Sequence, residues 1–171
     1  MEILLKEENS MPLIGIIAKK KDVNAIKREL NSDIELLEIT EESISNFKNI
    51  KFDEIICIED INIKKEAYKY LSEMISKVKY LIINADVGME FLKELKIKEP
   101  MKLITYGFNS KATITISSVK EDKIIICIQR NIEKPDKEII ETEEKEIQIS
   151  KQKTKKIYNN LVVFIIERLN N

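Results

Sequence analysis

Leu81-Ile-Ile-Asn-Ala-Asp86 and Leu103-Ile-Thr-Tyr-Gly-Phe-Asn109, two segments near the middle of the chain, each begin with an apolar run and end in small polar residues. Such a run is typical of a strand that is covered on both faces of a parallel sheet. Residues 89–95 lie between the two segments and have helical spacing, so a strand–helix–strand unit is predicted. Because open α/β sheets bind ligands at the carboxyl ends of their strands, we expect a nucleotide-type site there.

The same alternation of strand and helix extends over roughly the first hundred residues of the chain. The patterns predict a short edge strand at 1–5, strands at 13–18, 34–39, 52–58, 80–84 and 102–106, helices at 22–30, 64–77 and 89–95, and a short helix or turn at 43–49. Asp22 is the predicted N-cap of the first helix. This alternation favours parallel strands that are joined by crossover helices.

The pattern changes after Gly107. Polar and apolar residues alternate at 112–119, a second strand is predicted at 123–130, and a loop around Pro135 leads to a third at 144–149, so a three-stranded antiparallel meander is predicted. A last helix at 153–169 carries an apolar stripe at a spacing of four residues. The predicted fold is therefore α/β, a three-layer, mostly parallel sheet flanked by helices, with the small meander before a C-terminal helix, as one domain over residues 1–171.

Composition excludes several classes of protein. The 171 residues are 43% hydrophobic and 35% charged, with a net charge of −1, which is typical of a globular chain. The charges of both signs are interspersed, so no basic stripe indicates nucleic-acid binding. No signal segment is evident, and the longest apolar run, 161–166, is far below the ~20 residues that cross a bilayer. We therefore expect a cytoplasmic protein without a membrane partner.

The counts of histidine and cysteine limit the chemistry. The chain contains no histidine, which excludes histidine-based nucleophile systems and zinc sites. Cys57 and Cys127 each lie in an apolar Ile-Ile-Cys-Ile pattern and are expected to be buried and reduced. Any catalysis would need carboxylates, lysines, or a metal with oxygen ligands.

Several short motifs, in this order along the chain, resemble the central, ATP-binding domain of the Mur ligases, the enzymes that add amino acids to peptidoglycan precursors. Glu38 ends a strand and precedes a small-residue turn, as in that family. Asn84-Ala-Asp86 and Thr105-Tyr-Gly107 are similar to two of its strand ends. Tyr158-Asn159-Asn160 resembles the start of the helix whose asparagine lies near adenine. The predicted order of strands, meander and helix is also that of the family.

The resemblance implies candidate site residues. Those similar to nucleotide-binding positions are Lys19, Lys20, Lys21, Asn84, Asp86 and Asn159, and those similar to metal-binding positions are Glu38, Glu59 and Asp60. Each has a structural alternative. The lysines can form a solvated loop, and the carboxylates can be solvated or can favour a helix N-terminus. The strand-end pair can hold a turn, and the asparagine can be an ordinary helix residue. Gln129 and Arg130 form an unusual polar pair, for which a surface ion pair is the default interpretation.

The chain also departs from the family pattern. The ligases carry Gly-Thr-x-Gly-Lys-Thr after the first strand, where backbone amides wrap phosphates and a hydroxyl meets Mg²⁺. Here the corresponding segment is Gly15-Ile-Ile-Ala-Lys-Lys-Lys-Asp22, without the turn glycines or the hydroxyl. Glu59-Asp60 stands where the family has an Asp-His pair. We expect a stand-alone, degenerate member that lacks the phosphate loop and the ligases' other domains.

Two hypotheses follow for the function. The first is a binding or assembly module without ligase activity or cofactor, whose partner is a second copy or another protein. The alternative is an ATP- or ADP-binding protein, or a minimal magnesium-dependent enzyme. It would use Lys19 to Lys21 for phosphate and Glu38 with Glu59 or Asp60 for Mg²⁺.

Overall fold

The computed structural model describes residues 11–59, 63–97, 101–149 and 154–171, with the side chains of 154 and 155 excepted. The edge strand predicted at 1–5 and the candidate metal ligand Asp60 lie outside the described residues. The extent of a single domain over 1–171 stays a prediction. Among the helices in the described ranges, none has both the length and the apolar character needed to span a bilayer.

Eight strands form one sheet and two more form a separate hairpin. The strands are β1 Leu13–Ile17, β2 Glu35–Glu38, β3 Glu54–Cys57, β4 Tyr80–Asn84, β5 Lys102–Gly107, β6 Ile114–Val119, β7 Lys123–Ile128, β8 Ile132–Glu133, β9 Ile139–Ile140 and β10 Glu143–Gln148. The large sheet has the order β10-β7-β6-β5-β4-β3-β1-β2. Strands β1 to β5 pair in parallel, as their apolar runs predicted.

The predicted meander continues the large sheet. Strand β6 pairs in parallel with β5 through Tyr106–Ile114 and Gly107–Thr115, and β6, β7 and β10 pair antiparallel. The loop predicted around Pro135 was wrong in part, because it contains the β8–β9 hairpin. Its strands are two residues long, too short for the alternation of side chains to be recognised in a sequence.

The helices are α1 Lys20–Glu29, α2 Glu41–Phe47, α3 Lys65–Ile75, α4 Met89–Glu94 and α5 Thr154–Asn170. The N-cap predicted for α1 was wrong. The helix begins two residues earlier, with Lys19 at the cap position, and Asp22 lies buried in the first turn. By contrast, α2 has the expected kind of start, because Thr40 and Ser43 form a reciprocal capping box.

Two apolar clusters cover the two faces of the sheet. One contains α1, α5 and the sheet residues that face them, and the other contains α2, α3 and α4. The stripe on α5, Ile157, Leu161, Ile165 and Leu169, is buried in the first cluster. The stripe thus stabilises the domain interior and is not an exposed contact surface.

Candidate functional site

The strand order predicts a ligand-binding position at the carboxyl ends of β1 and β3. We call this position the ligand edge. The chain passes from β1 outward to β2 on one side and from β3 to β4 on the other, and ligands of open α/β sheets bind at such a reversal. Lys19 follows β1 and Glu59 follows β3. Their side chains form an ion pair across the reversal, with Nζ 3.7 Å from Oε2. Two of the predicted site residues therefore contact each other at this edge.

The turn between β1 and α1 contains only Ala18 and Lys19. The backbone carbonyl of Lys19 accepts hydrogen bonds from the amides of Asp22, at 2.8 Å, and Val23, at 3.1 Å. A phosphate loop needs a longer, glycine-rich turn whose amides point at the ligand. Here the backbone amides of Asp22 and Val23 are already used in hydrogen bonds to the carbonyl of Lys19. Lys20 and Lys21 are exposed on the same turn.

Behind this turn, α1 and α5 are joined by two polar side chains. The amide nitrogen of Asn159 donates to Oδ1 of Asp22 at 3.2 Å. Asp22 is 5% exposed and Asn159 is 7% exposed. Within the described residues, Oδ1 of Asn159 has no hydrogen-bond partner. The side chain that resembles an adenine contact is therefore buried against the first turn of α1.

The side chain of Asn84 makes two hydrogen bonds at the carboxyl end of β4. Its side-chain nitrogen donates to the carbonyl of Ile58 at 3.3 Å, and its Oδ1 accepts from the amide of Asp86 at 3.0 Å. The residue is 1% exposed. These contacts connect the end of β4 to the end of β3 and start the turn that follows.

Asp86 joins three parts of the chain. Its carboxylate accepts hydrogen bonds from the amides of Phe108 at 2.7 Å and Asn109 at 2.9 Å, and from the hydroxyl of Tyr158 at 2.9 Å. Burial, and next the hydrogen bond to Asp86, raise the pKa of Tyr158 to about 12. Gly107 allows the close approach with φ +143°, and a Cβ there would lie 2.4 Å from Oδ2 of Asp86. The Asp86 carboxylate thus acts as a tie between two strand-end turns and α5.

Three apolar side chains lie exposed near Asp86 in the chain's turns and helix start: Val87 after β4, Met89 at the start of α4 and Phe108 after β5. Val87 is 45% exposed, and Met89 and Phe108 are each 39% exposed. The ring of Phe108 also meets Tyr158 edge to face, with centroids 5.8 Å apart. We call Val87, Met89 and Phe108 the apolar rim. Sequence reasoning missed it because isolated apolar residues in turns have no periodicity.

Of the predicted metal residues, Glu38 and Glu59 lie within the described ranges, at the ends of different strands. Glu38 ends β2, half-buried, in register with Ile16 of β1, whereas Glu59 pairs with Lys19. In the described ranges there is no group of three or more acidic, cysteine or histidine residues arranged to hold a metal. Asp60 lies outside these ranges, so the set as a whole stays a prediction.

Gln129 and Arg130 are exposed at the end of β7. Arg130 donates from Nη2 to the backbone carbonyl of Lys111 at 3.2 Å, and the amide of Gln129 donates to the carbonyl of Thr113 at 2.9 Å. The contact of Arg130 is with a backbone carbonyl, where an ion pair was the default expectation. It fixes the loop that enters β6.

Comparison with solved structures shows which known proteins have a similar fold. The murein peptide ligase Mpl from Psychrobacter arcticus superposes with a TM-score of 0.65 and 9% identity, covering 94% of this chain and 44% of the ligase chain. The fold is Mur ligase-like. A pseudomurein peptide ligase type C from Methanothermus fervidus superposes with a TM-score of 0.59 and 14% identity, covering 96% and 48% of the two chains.

These similarities show the fold alone, since both identities are low. The chain spans less than half the length of either ligase. No protein-family model matches the sequence. No curated protein matches it either.

Proposed function

We propose that this Mur ligase-like chain is a binding or assembly module without ligase activity. The observation that supports the proposal most strongly is that side chains at the ligand edge of the sheet pair with other side chains of the same chain. Lys19 pairs with Glu59 across the reversal of strand order, and Asp22 pairs with Asn159 directly behind it. In this arrangement Lys19 and Asn159, two of the residues that resemble nucleotide contacts, bind carboxylates of the chain itself.

The charges at this edge give a nucleotide little net attraction. A phosphate here would be repelled by the carboxylates of Asp22 and Glu59. The exposed lysines would attract it only weakly, because an exposed ion pair contributes roughly 0–1 kcal/mol and Lys19 is already paired. The short turn between β1 and α1 also lacks the glycine-rich cradle of oriented amides by which phosphate loops bind.

The surface that we assign to binding is the apolar rim. Val87, Met89 and Phe108 are exposed on or next to turns that Asp86 holds in place, so they need little ordering when a partner binds. Exposed aromatic and methionine side chains are enriched at protein interfaces. The assembly that we propose is between copies of this chain.

Calorimetric titration with Mg·ATP and Mg·ADP tests the loss of nucleotide binding. We expect no saturable heat and no thermal shift at about 1 mM nucleotide, that is, no binding stronger than about −4 kcal/mol. Saturable heat that decreases in Lys19→Ala or Glu38→Ala would support the nucleotide-binding alternative. The exposed Lys27→Ala variant on α1 is the matched control for a general effect of charge.

Light scattering over about a hundredfold range of concentration tests the assembly, because association depends on mass action. We expect the mean mass to rise with concentration, and Phe108→Ser to abolish the rise. Val119→Ser is the matched control, since Val119 is 49% exposed on β6 and is not part of the rim. A strictly monomeric wild-type chain, or equal effects of the two variants, contradicts self-assembly through this surface.

A further inference from the structure

Glu54 is a buried carboxyl group at the amino end of β3, whereas the candidate site lies at the carboxyl ends of the strands. It is the first residue of β3 and lies in register between Ile14 of β1 and Tyr80 of β4. Its side chain is 1% exposed and faces the last turn of α5. A carboxyl group in such a place needs partners for both oxygens if it is ionised.

Only one oxygen of Glu54 has a partner among the described residues. Oε1 accepts from the side-chain nitrogen of Asn170 at 3.0 Å, and Oε2 is buried without a hydrogen bond. The same nitrogen of Asn170 donates to the carbonyl of Ile166 at 2.9 Å, within α5. Asn170 therefore fastens the end of α5 to the first residue of β3.

The charged groups around Glu54 are engaged with other partners. Asp53, its neighbour in the chain, pairs with Lys79 at 3.0 Å and also accepts from the amide of Leu13. Tyr80, beside it on β4, donates its hydroxyl to the carbonyl of Glu133. On the hairpin, Glu133 pairs with Lys102, and Asp136 and Glu138 pair with Lys134. On α5, Glu167 accepts from the amide of Asn31 and Arg168 pairs with Glu143.

We infer that the attachment of the last turn of α5 to the sheet is controlled by a proton on Glu54. The neutral carboxyl group, with its hydrogen bond from Asn170, is the form that this buried site favours, because burying a hydroxyl without a partner costs much less than burying a charge. The ionised form requires water or a further donor at Oε2, which the packed site admits only if the last turn of α5 opens. The fold thus contains a proton-dependent latch between β3 and α5.

The range of pH in which the latch works follows from its surroundings. Burial, the largest effect, and the nearby Asp53 raise the pKa of Glu54 from 4.5 to about 7, against the opposing effects of Asn170 and Lys79. Between these two values the folded state binds more protons than the unfolded state. The stabilisation is therefore complete below pH 4.5 and is lost as the pH rises through 7.

Nuclear magnetic resonance on the whole chain tests the latch with two measurements. The first is the titration of the Glu54 side-chain carboxyl carbon, which we expect to have its midpoint near neutral pH. The second is hydrogen-exchange protection of the amides of Arg168 to Asn171, corrected for intrinsic exchange. We expect that protection to fall at least about tenfold between pH 5.5 and 8, in proportion to the population of the open turn.

Glu54→Gln should remove the pH dependence of protection, whereas the exposed Glu29→Gln on α1 should keep it. An ordinary carboxyl midpoint for Glu54 in the wild-type chain overturns the proposal. So does a Glu54→Gln variant whose protection still falls with pH as in the wild type. If Glu54→Gln does not fold, the two wild-type measurements decide, since both must change over the same range of pH.

Discussion

Asn159 on α5 donates a hydrogen bond to the carboxylate of Asp22 on α1 at 3.2 Å, with both residues more than nine-tenths buried. The two residues are 137 positions apart in the chain. This bond lies behind the turn that joins β1 to α1. It therefore joins the first and last helices and at the same time places a carboxylate beside the ligand edge.

The first prediction concerns this bond. Asp22→Ala leaves the buried amide of Asn159 without its acceptor, which costs about 1–3 kcal/mol of unfolding free energy. Urea unfolding measures the change. The control is Asn24→Ala, an exposed position on the same helix, which we expect to stay within about 0.5 kcal/mol of the wild type. Equal effects of the two changes would contradict a stabilising role for the bond.

The second prediction concerns the carboxylate that ties the strand-end turns. Asp86→Ala removes three hydrogen bonds at once, and we expect a loss of about 2–4 kcal/mol, because bonds to charged groups contribute more than neutral ones. Glu90→Ala, nearby on α4, removes only an exposed ion pair with Lys93 and should change stability by less than about 0.5 kcal/mol. Urea unfolding compares the two, and a cost for Asp86→Ala no greater than for Glu90→Ala would refute the tie.

Elements with continuous apolar runs were predictable from the sequence. Strand β4 was predicted with its observed bounds, and β1, β3 and β5 were predicted to within two residues at each end, because burial on both faces leaves a clear run. The first turn of α1 was not predictable. Asp22 has the chemistry of an N-cap, but it lies inside the helix, where its side chain accepts a hydrogen bond from Asn159 of α5.

The contacts of the candidate site were harder to predict than its position. The edge was located from polar residues at strand ends, which is a general property of parallel sheets. The pairing of Lys19 with Glu59 depends on which strands are neighbours, and a single sequence does not give that order. The pairing of Asp22 with Asn159 depends further on how α5 packs against α1. Local patterns carry neither piece of information.

The third prediction concerns the glycine that faces Asp86. Gly107→Ala introduces a Cβ at 2.4 Å from the Asp86 carboxylate and a side chain at φ +143°, so we expect a loss of more than about 2 kcal/mol. Gly15→Ala is the comparison: its Cβ would lie 2.5 Å from Cδ1 of Ile39 and 3.2 Å from the Phe52 ring, but its φ is not positive, so it adds steric conflict without the backbone strain. We expect it to cost less.

A double-mutant cycle separates the two causes of the Gly107→Ala effect. In the Asp86→Ala background the steric conflict with the carboxylate is gone, so Gly107→Ala should cost less than it does alone. Urea unfolding of the four chains gives the coupling energy. Additive effects would show that backbone strain alone accounts for the cost.

The fourth prediction concerns the two thiols, which are both free cysteines. Cys57 on β3 is fully buried, and burial raises the pKa of its thiol, so the reactive thiolate is scarce and inaccessible. Cys127 on β7 is half-buried. With a chromogenic disulfide reagent we expect one thiol to react quickly in the native chain and both to react in denaturant.

The slow thiol should be assigned by substitution. Cys127→Ser should remove the fast phase, and Cys57→Ala should remove the slow one. Because Cys57 reacts only from opened molecules, its labelling should accelerate with urea in parallel with unfolding. Two thiols that react equally fast in the native chain would contradict the burial of β3 between the two apolar clusters.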